Sequence, residues 1–437
     1  MSSSNIRRIV IALSGGVDSA VAAALLQKRY GPHKVDLIGV HMQNWDEQDE
    51  SGQCRKVRDQ DARDAREACD ILGIPFTTVS FVKDYWNDVF STLLSDYERG
   101  FTPNPDILCN RYLKFGSFFN YAKRVWGADC IATGHYAQTD ADDDVVEMGG
   151  RGRVRLLRAL DATKDQTLFL SGIHQEALQA TLFPLGDMYK SQVRRLANEF
   201  GMETLAKKRD SVGICFIGNR SFTDFISEYI PHRPGPFIDL IKGHVIGSHN
   251  GVHHYTIGQR CRIAGGKHPW FVAARDPASQ TIYAVDDHDH PALFSSVFLA
   301  EEPHWICDVP TLREDEPFLC MFKFQHTEWT TPALLYKVSP SSSSSAPSST
   351  VALKVWLSIP TRAVTPGQVA VFYKGNVCLG SAKILWVDVL SQIGLNPPFP
   401  MDQELLRPPP PQNPPYKSSQ DYEYANHLKI PPQRQIL

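Results

Sequence analysis

Two cysteines and one aspartate are the most reactive groups that the sequence sets in suggestive surroundings. "TPNPDILCN", residues 102–110, puts Asp106 and Cys109 three positions apart, and "SVGICFIGN", residues 211–219, puts Cys215 among small and apolar side chains. A thiolate is a strong nucleophile near neutral pH, and a neighbouring carboxyl can take or give a proton. Taken alone, each cysteine reads first as a small buried hydrophobe. The 102–110 stretch reads as a proline-punctuated loop that turns Asp106 and Cys109 toward one pocket.

A third feature binds rather than reacts. "ALSGGVDSAV", residues 12–21, joins an apolar run to a helical one through two glycines. Gly15 and Gly16 let the backbone approach an anion, the helix N-terminus behind them carries partial positive charge, and Ser14 and Ser19 add hydroxyl donors. The lysine of a Walker A loop is missing, and "GGKH" at 265–268 does not supply it. Asp18 is out of place beside phosphate unless Mg²⁺ intervenes or the carboxylate orients the loop.

These groups need a scaffold. "RRIVIAL", "VDLIGVHM", "PFTTVSFV" and "ADCIATGHYA" read as strands. Between them, "SAVAAALLQKRYG", "KVRDQDARDAREACDILG", "YWNDVFSTLLSDYERG" and "RYLKFGSFFNYAKRVWG" read as helices. Trp86, Val89, Phe90, Leu93, Leu94 and Tyr97 form a core-facing stripe at helical spacing. Strict alternation of this kind predicts an α/β fold, a doubly wound parallel sheet with ligands at the carboxyl ends of its strands. "SQVRRLANEFG" is a further helix. From about residue 235 the chain turns to Gly, His and β-branched residues, which predicts short strands and, over 291–390, a β-barrel or sandwich. The expected division is 1–210, 211–290, 291–390 and a disordered tail over 391–437, with "SPSSSSSAPSST" a disordered insertion and 140–153 an exposed loop.

Bulk properties restrict the function classes. A net charge of −3 excludes a globally basic nucleic-acid binder, so RNA contact must come from local groups. The candidates are Arg151, Arg153, Arg155 and Arg158, or Lys207, Lys208 and Arg209, each of which reads singly as solvated surface charge. No apolar run has the length of a membrane span. Nine scattered cysteines without a CxxC argue against a zinc ribbon or disulfide scaffold and for a reducing compartment. "MSSSNIRRIVIAL" reads as the approach to a first strand, with no signal peptide or convincing transit segment.

"SGGVDS" resembles the pyrophosphate (PP) loop of the ATP pyrophosphatase superfamily, whose members adenylate an oxygen so that a nucleophile can displace AMP. The loop alone leaves the choice open among synthetases and tRNA thiolases, an argininosuccinate-type synthetase included. "SGGVDS", "TPNPDILCN", "ATGHYA", "KDQTLFLS" and "SVGICFIG" together, in that order, resemble tRNA-specific 2-thiouridylases. "KDYWNDVFS", "HPALF" and "GQVAVFYKGNVCLGS" add similarity to the mitochondrial eukaryotic form, over roughly residues 6–390.

That resemblance implies an enzyme, a tRNA-uridine 2-sulfurtransferase, that uses ATP and Mg²⁺ to thiolate uridine 34 of the tRNAs for Lys, Glu and Gln. It implies Cys215 as persulfide carrier, Cys109 as the cysteine that closes a disulfide with it, and Asp106 as acid/base. It places ATP on Ala12, Leu13, Ser14, Gly15, Gly16, Val17, Asp18, Ser19, Met42 and Gly134. Contacts to tRNA are implied at Asn104, Pro105, Asp106, His135, Lys164, Asp165, Gln166, Gln325, His326 and Gln368. At Gln325 the family's basic residue is missing, with Lys323 the nearest cation to compensate. The implied partners are the anticodon arm of tRNA, held by a central tRNA-binding domain, and a persulfide donor protein, without a membrane. The implied location is the mitochondrion, with the cytoplasm as the alternative in view of the N-terminus. A tRNA-binding protein with a relict ATP site would not call for an intact loop and both cysteines, and a thiolase built on an iron–sulfur cluster would call for clustered cysteines, which the sequence lacks.

Overall fold

The computed structural model describes residues 8–31, 34–45, 55–141, 153–210, 222–263, 268–338, 351–392 and 394–395. Cys215, most of the 140–153 segment, the Ser-rich insertion and the tail beyond residue 395 lie outside the described residues, and the start of the expected tail is ordered as the end of a helix, Asp388–Gln392. The chain divides into two compact units. The first comprises 1–92, 105–220 and 376–379, and the second 93–104, 221–375 and 380–437.

The first unit is built on β1 (Arg8–Ala12), β2 (Asp36–Gln43), β3 (Phe76–Ser80), β4 (Cys130–Ala132) and a short fifth strand, Thr181–Leu182. The order is β3-β2-β1-β4-fifth, and all four pairings are parallel. Ile9, Val10 and Ile11 are fully buried, as a central strand covered on both faces must be. The helix α1 (Val17–Tyr30) covers β1 with an alanine-rich face, Ala20 to Ala24, which lets it lie close to the sheet. The chain moves from β1 outward to β2 and β3, then returns to the other side of β1 for β4. The carboxyl ends of β1 and β4 therefore flank the switch point, where such sheets hold their ligands.

Two elements differ from the sequence reading. The 102–110 stretch is not all loop: Pro105 opens a helix that runs through Leu108, widens into π-type turns over Cys109–Phe118 and continues to Trp126. Proline is well suited to a first helical position, where its fixed φ helps and its missing N–H costs nothing. The aromatic stripe is also imperfect. Val89, Phe90, Leu93 and Tyr97 are buried, but Trp86 is 42% exposed. A π turn over Trp86–Phe90 inserts an extra residue into the helical ladder and rotates Trp86 off the buried face.

The second unit is mostly β. Arg260–Cys261, Trp270–Asp276, Thr281–Val285, Gly235–Asp239 and Val245–His249 make one five-stranded sheet in that order. Phe294–Ala300, Leu353–Arg362, Thr331–Lys337, Phe318–Lys323, Val369–Lys374 and Val377–Val387 close into a six-stranded barrel. Closure comes from the pairing of Phe298 with Val387 and Leu299 with Trp386. The alternatives of barrel and sandwich resolve to the barrel.

Candidate active site

The loop after β1 is set by its own serines and by one glycine. Gly15 sits at φ +76°, and a Cβ there would lie 2.2 Å from the Asp61 carbonyl oxygen. Ser19 Oγ donates to the Gly16 carbonyl at 3.0 Å and accepts from the Ser14 amide at 3.1 Å, which ties the turn across itself. Gly16 provides no side-chain cap to α1, leaving the helix's first N–H groups turned to the loop, where they suit an anion. Gly134, just past β4, is pressed against the same turn: a Cβ there would be 2.6 Å from the Ser19 amide nitrogen. Ala12, Leu13 and Val17 are buried beneath the loop, and Met42 is half-buried at the carboxyl end of β2.

Asp18 is neutralised from outside the loop. Lys190 Nζ lies 2.7 Å from each of its carboxylate oxygens, and the Tyr136 hydroxyl donates to Oδ1 at 2.8 Å. Burial, then the Asp18 carboxylate, pushes the Tyr136 phenol upward, so it remains a proton donor. Lys190 also meets Asp210 at 3.0 Å, and Asp210 accepts from Lys164 at 2.7 Å and Arg194 at 2.6 Å. Burial works against the Asp210 anion, but the Lys164 and Lys190 ammoniums outweigh it and hold its carboxyl down at about 2. Lys208 donates to the Gly15 carbonyl at 2.9 Å and to Asp61 at 2.7 Å, and also binds Asp64. It is therefore an internal strut of the loop and no solvated surface charge.

On the helix opened by Pro105, Asp106 and Cys109 are three residues apart and share a face. Cys109 is buried and Asp106 half-buried. Burial raises the Asp106 pKa, partly opposed by the Lys114 ammonium one helical stretch further on. Lys114 Nζ lies 3.5 Å from His135 Nε2, and His135 Nδ1 lies 2.9 Å from Thr133 Oγ1. Burial, with Lys114 second, keeps His135 well below the usual imidazole range and hence neutral. Gly134 and His135 are consecutive, so one short segment after β4 touches the phosphate loop with one residue and the Cys109 helix with the next.

The other residues expected at tRNA divide in two. Lys164 reaches Asp210, but Asp165 is buried, accepting from Thr167, Arg158 and the Ala159 amide, and the Gln166 side chain accepts from the Tyr136 amide at 2.9 Å. In the second unit Asn104 is half-buried, Gln325 and His326 are exposed, and Gln368 is half-buried. Lys323 does not compensate at the surface for Gln325: it is 3% exposed, with its ammonium 5.3 Å from the Tyr373 ring. Arg158 is likewise internal on Asp165, and Arg155 is paired with Asp140. Lys190, Tyr136 and Asp210 were not legible as site residues, because each acts through a partner far away in sequence, 172 residues in the case of Lys190 and Asp18.

Three family models match consecutive stretches. They are the tRNA methyl transferase HUP domain over residues 7–219, the tRNA methyl transferase PRC-barrel domain over 223–286 and the aminomethyltransferase beta-barrel domain over 295–384. The mitochondrial tRNA-specific 2-thiouridylase 1 of Drosophila melanogaster is 46% identical over 389 residues, covering 89% of this chain and 96% of the relative. Its Homo sapiens counterpart is 43% identical, covering 87% and 90%. The tRNA-specific 2-thiouridylase MnmA of Staphylococcus aureus (strain JH9) is 41% identical, covering 86% and 95%.

Proposed function

Because the chain belongs to the tRNA-specific 2-thiouridylase family, we propose that it is an ATP-dependent sulfurtransferase that converts a tRNA uridine to 2-thiouridine. The observation that carries this reading is the Gly134–His135 segment, which joins the phosphate loop to the helix of Asp106 and Cys109. Activation of an oxygen by ATP and attack by sulfur need those two parts side by side.

In this reading the substrate is uridine 34 of the tRNAs for Lys, Glu and Gln. An anticodon base is single-stranded and can be turned out into a pocket. ATP transfers AMP to the C2 oxygen of the uracil and releases pyrophosphate. The terminal sulfur of a Cys215 persulfide then attacks C2, and AMP departs with the former C2 oxygen. Cys109 thiolate attacks Cys215 Sγ and breaks the S–S bond, leaving the sulfur on C2 and a Cys109–Cys215 disulfide. Two electrons from a thiol reductant restore the cysteines, and a persulfide donor protein reloads Cys215. Asp106, with its raised pKa, is suited to exchange a proton with the base.

The residues from Ala12 to Ser19, with Met42 and Gly134, form the nucleotide site. Asp18 offers a hard carboxylate oxygen of the kind Mg²⁺ takes, and that ion, when bound, offsets triphosphate charge. Asn104, Pro105, His135, Lys164, Gln325 and His326 serve the tRNA, with Asp165 and Gln166 holding Lys164's turn in place and Gln368 holding the stretch that leads to Asn104. Residues 1–210 form the catalytic domain, 211–290 the central tRNA-binding domain and 291–390 the barrel. The named relatives favour the mitochondrion as its location.

The test is nucleoside mass spectrometry of unmodified tRNA after incubation with the protein, Mg-ATP and a persulfide donor. A 2-thiouridine peak that requires ATP and is lost in Cys109→Ser and Cys215→Ser is expected. Consumption of ATP that survives both substitutions, without thiolated product, would instead favour an argininosuccinate-type synthetase.

A further inference from the structure

We infer that Lys190 is the cation that binds the triphosphate, and that its bond to Asp18 is the resting position from which it is handed over. This rests on the ATP reading above and adds to it a residue that the loop motif does not contain.

The geometry supports the handover at three points. Lys190 is the first residue of the helix Lys190–Glu199, and its root is fixed: its amide donates to Asp161 at 3.0 Å, while the Tyr189 amide donates to the Gln192 side chain at 2.8 Å. The ammonium is thereby carried to the loop, 12% exposed and 2.7 Å from both Asp18 oxygens. Second, neither of its carboxylates depends on it alone. Asp210 retains Lys164 and Arg194, and Asp18 retains the Tyr136 hydroxyl. Third, the neighbouring cations are committed elsewhere. Lys208 holds the Gly15 carbonyl, Asp61 and Asp64, and Arg194 also donates to the Lys208 carbonyl at 3.1 Å. Among the described residues, Lys190 is the cation that bonds a side chain of the loop itself.

Charge balance explains why a transferable cation is needed. Lys190, Lys164, Arg194 and Lys208 face Asp18, Asp210, Asp61, Asp64 and Asp161, four cations against five carboxylates, so the site has no standing positive excess to attract a triphosphate. If Lys190 turns from Asp18 to phosphate oxygens, the carboxylate becomes available to the cation that accompanies ATP. Two ion pairs then replace one without loading the loop with uncompensated charge. A lysine ammonium, a compact point charge on a flexible stem, suits such an exchange.

Calorimetric titration of Mg-ATP and of AMP into wild type, Lys190→Gln and Lys190→Arg tests this. AMP occupies the nucleoside end of the site but has no β or γ phosphate. Lys190→Gln is expected to weaken Mg-ATP binding by about 10- to 100-fold, the size of a lost charge-assisted contact, with AMP affinity changed less than about 2-fold. Lys190→Arg should recover most of the loss. Equal weakening of both ligands, or unchanged Mg-ATP affinity in a folded Lys190→Gln protein, would make Lys190 a structural counter-ion only and overturn the inference. Wild-type protein that binds neither ligand would overturn the ATP reading and this inference together. A Lys190→Gln chain too unstable to titrate sends the decision to Lys190→Arg, which must bind Mg-ATP within about 10-fold of wild type with AMP unchanged, or the inference falls.

Discussion

The side-chain amide of Gln368 donates to the backbone carbonyl of Thr102 at 2.7 Å, across 266 residues of sequence. Thr102 is 6% exposed and its amide donates to the Pro366 carbonyl at 2.9 Å, while Arg275 donates to its hydroxyl at 2.8 Å. Gly367, at φ +94°, makes room for the approach, since a Cβ there would lie 2.5 Å from the Thr102 nitrogen. Gln368, expected at tRNA, thus holds the root of the stretch that leads to Asn104. Gln368→Leu leaves a carbonyl without its donor and is expected to cost about 1–2 kcal/mol in denaturant unfolding. In the proposed reaction it should lower kcat at saturating tRNA. A rise in tRNA KM alone, with stability unchanged, would show instead that the residue acts only on RNA.

Gly134→Ala tests the contact that supports the proposed function. Its methyl carbon would fall 2.6 Å from the Ser19 amide nitrogen, a distance at which backbone must shift. The loop's hydroxyl ties at Ser14, Gly16 and Ser19 then lose their geometry. We expect the apparent affinity for ATP to fall at least about tenfold, an effect of about 1.4 kcal/mol, with the far-ultraviolet circular dichroism spectrum retained. Unchanged ATP affinity would mean that the switch point between β1 and β4 is not the nucleotide site.

The elements that make a parallel sheet were legible because a buried strand needs an unbroken apolar run, and "RRIVIAL" and "ADCIATG" provide it. The phosphate loop was legible because its glycines and serines act on their own backbone within a few residues. What could not be read is the set of charges closing over it. Lys190, Tyr136 and Asp210 look like ordinary helix, strand-end and loop residues until the fold brings Tyr136 and Lys190 to Asp18 and Asp210 to Lys190. The helix at Pro105 was misread for a different reason: proline favours both a turn and a helix start, and the sequence "TPNPD" satisfies either. Nearness in sequence cannot show that Lys323 compensates for Gln325: the lysine is buried in its barrel strand, with its ammonium 5.3 Å from the Tyr373 ring.

Asp106→Asn should separate the acid/base reading from packing. The amide keeps the shape of the carboxyl but cannot exchange the proton. If the carboxylate takes a proton from the base, wild-type single-turnover rates rise with pH through the Asp106 pKa, which burial has raised above the ordinary carboxylate value. In Asp106→Asn that limb should vanish and the rate should drop by about 10²- to 10⁴-fold. A variant that is slower but keeps the same acidic limb would place the titrating group elsewhere.

Acid should loosen the second unit through a cluster of histidines. His249 and His253 are buried, and His254 lies beside them with its ring 4.1 Å from that of His253 and 5.6 Å from that of His232. Among the described residues, His253 Nε2 and both ring nitrogens of His254 are buried without a hydrogen-bond partner. Burial lowers all three pKa values, with the His254 and His232 rings and the Arg233 and Arg275 cations adding to the effect at His253, which falls to about 4. Asp224 opposes it at His254. The sign follows from proton uptake: below the ordinary histidine value of about 6.5 the unfolded chain binds protons that the folded cluster refuses, so stability falls as pH drops from there to about 4. The cost is of the order of 1.4 kcal/mol for each unit by which a pKa is lowered. His253→Phe, which fills the space without titrating, should flatten the pH dependence of the thermal midpoint between those values. An equally steep fall in the variant would assign the acid sensitivity to other groups.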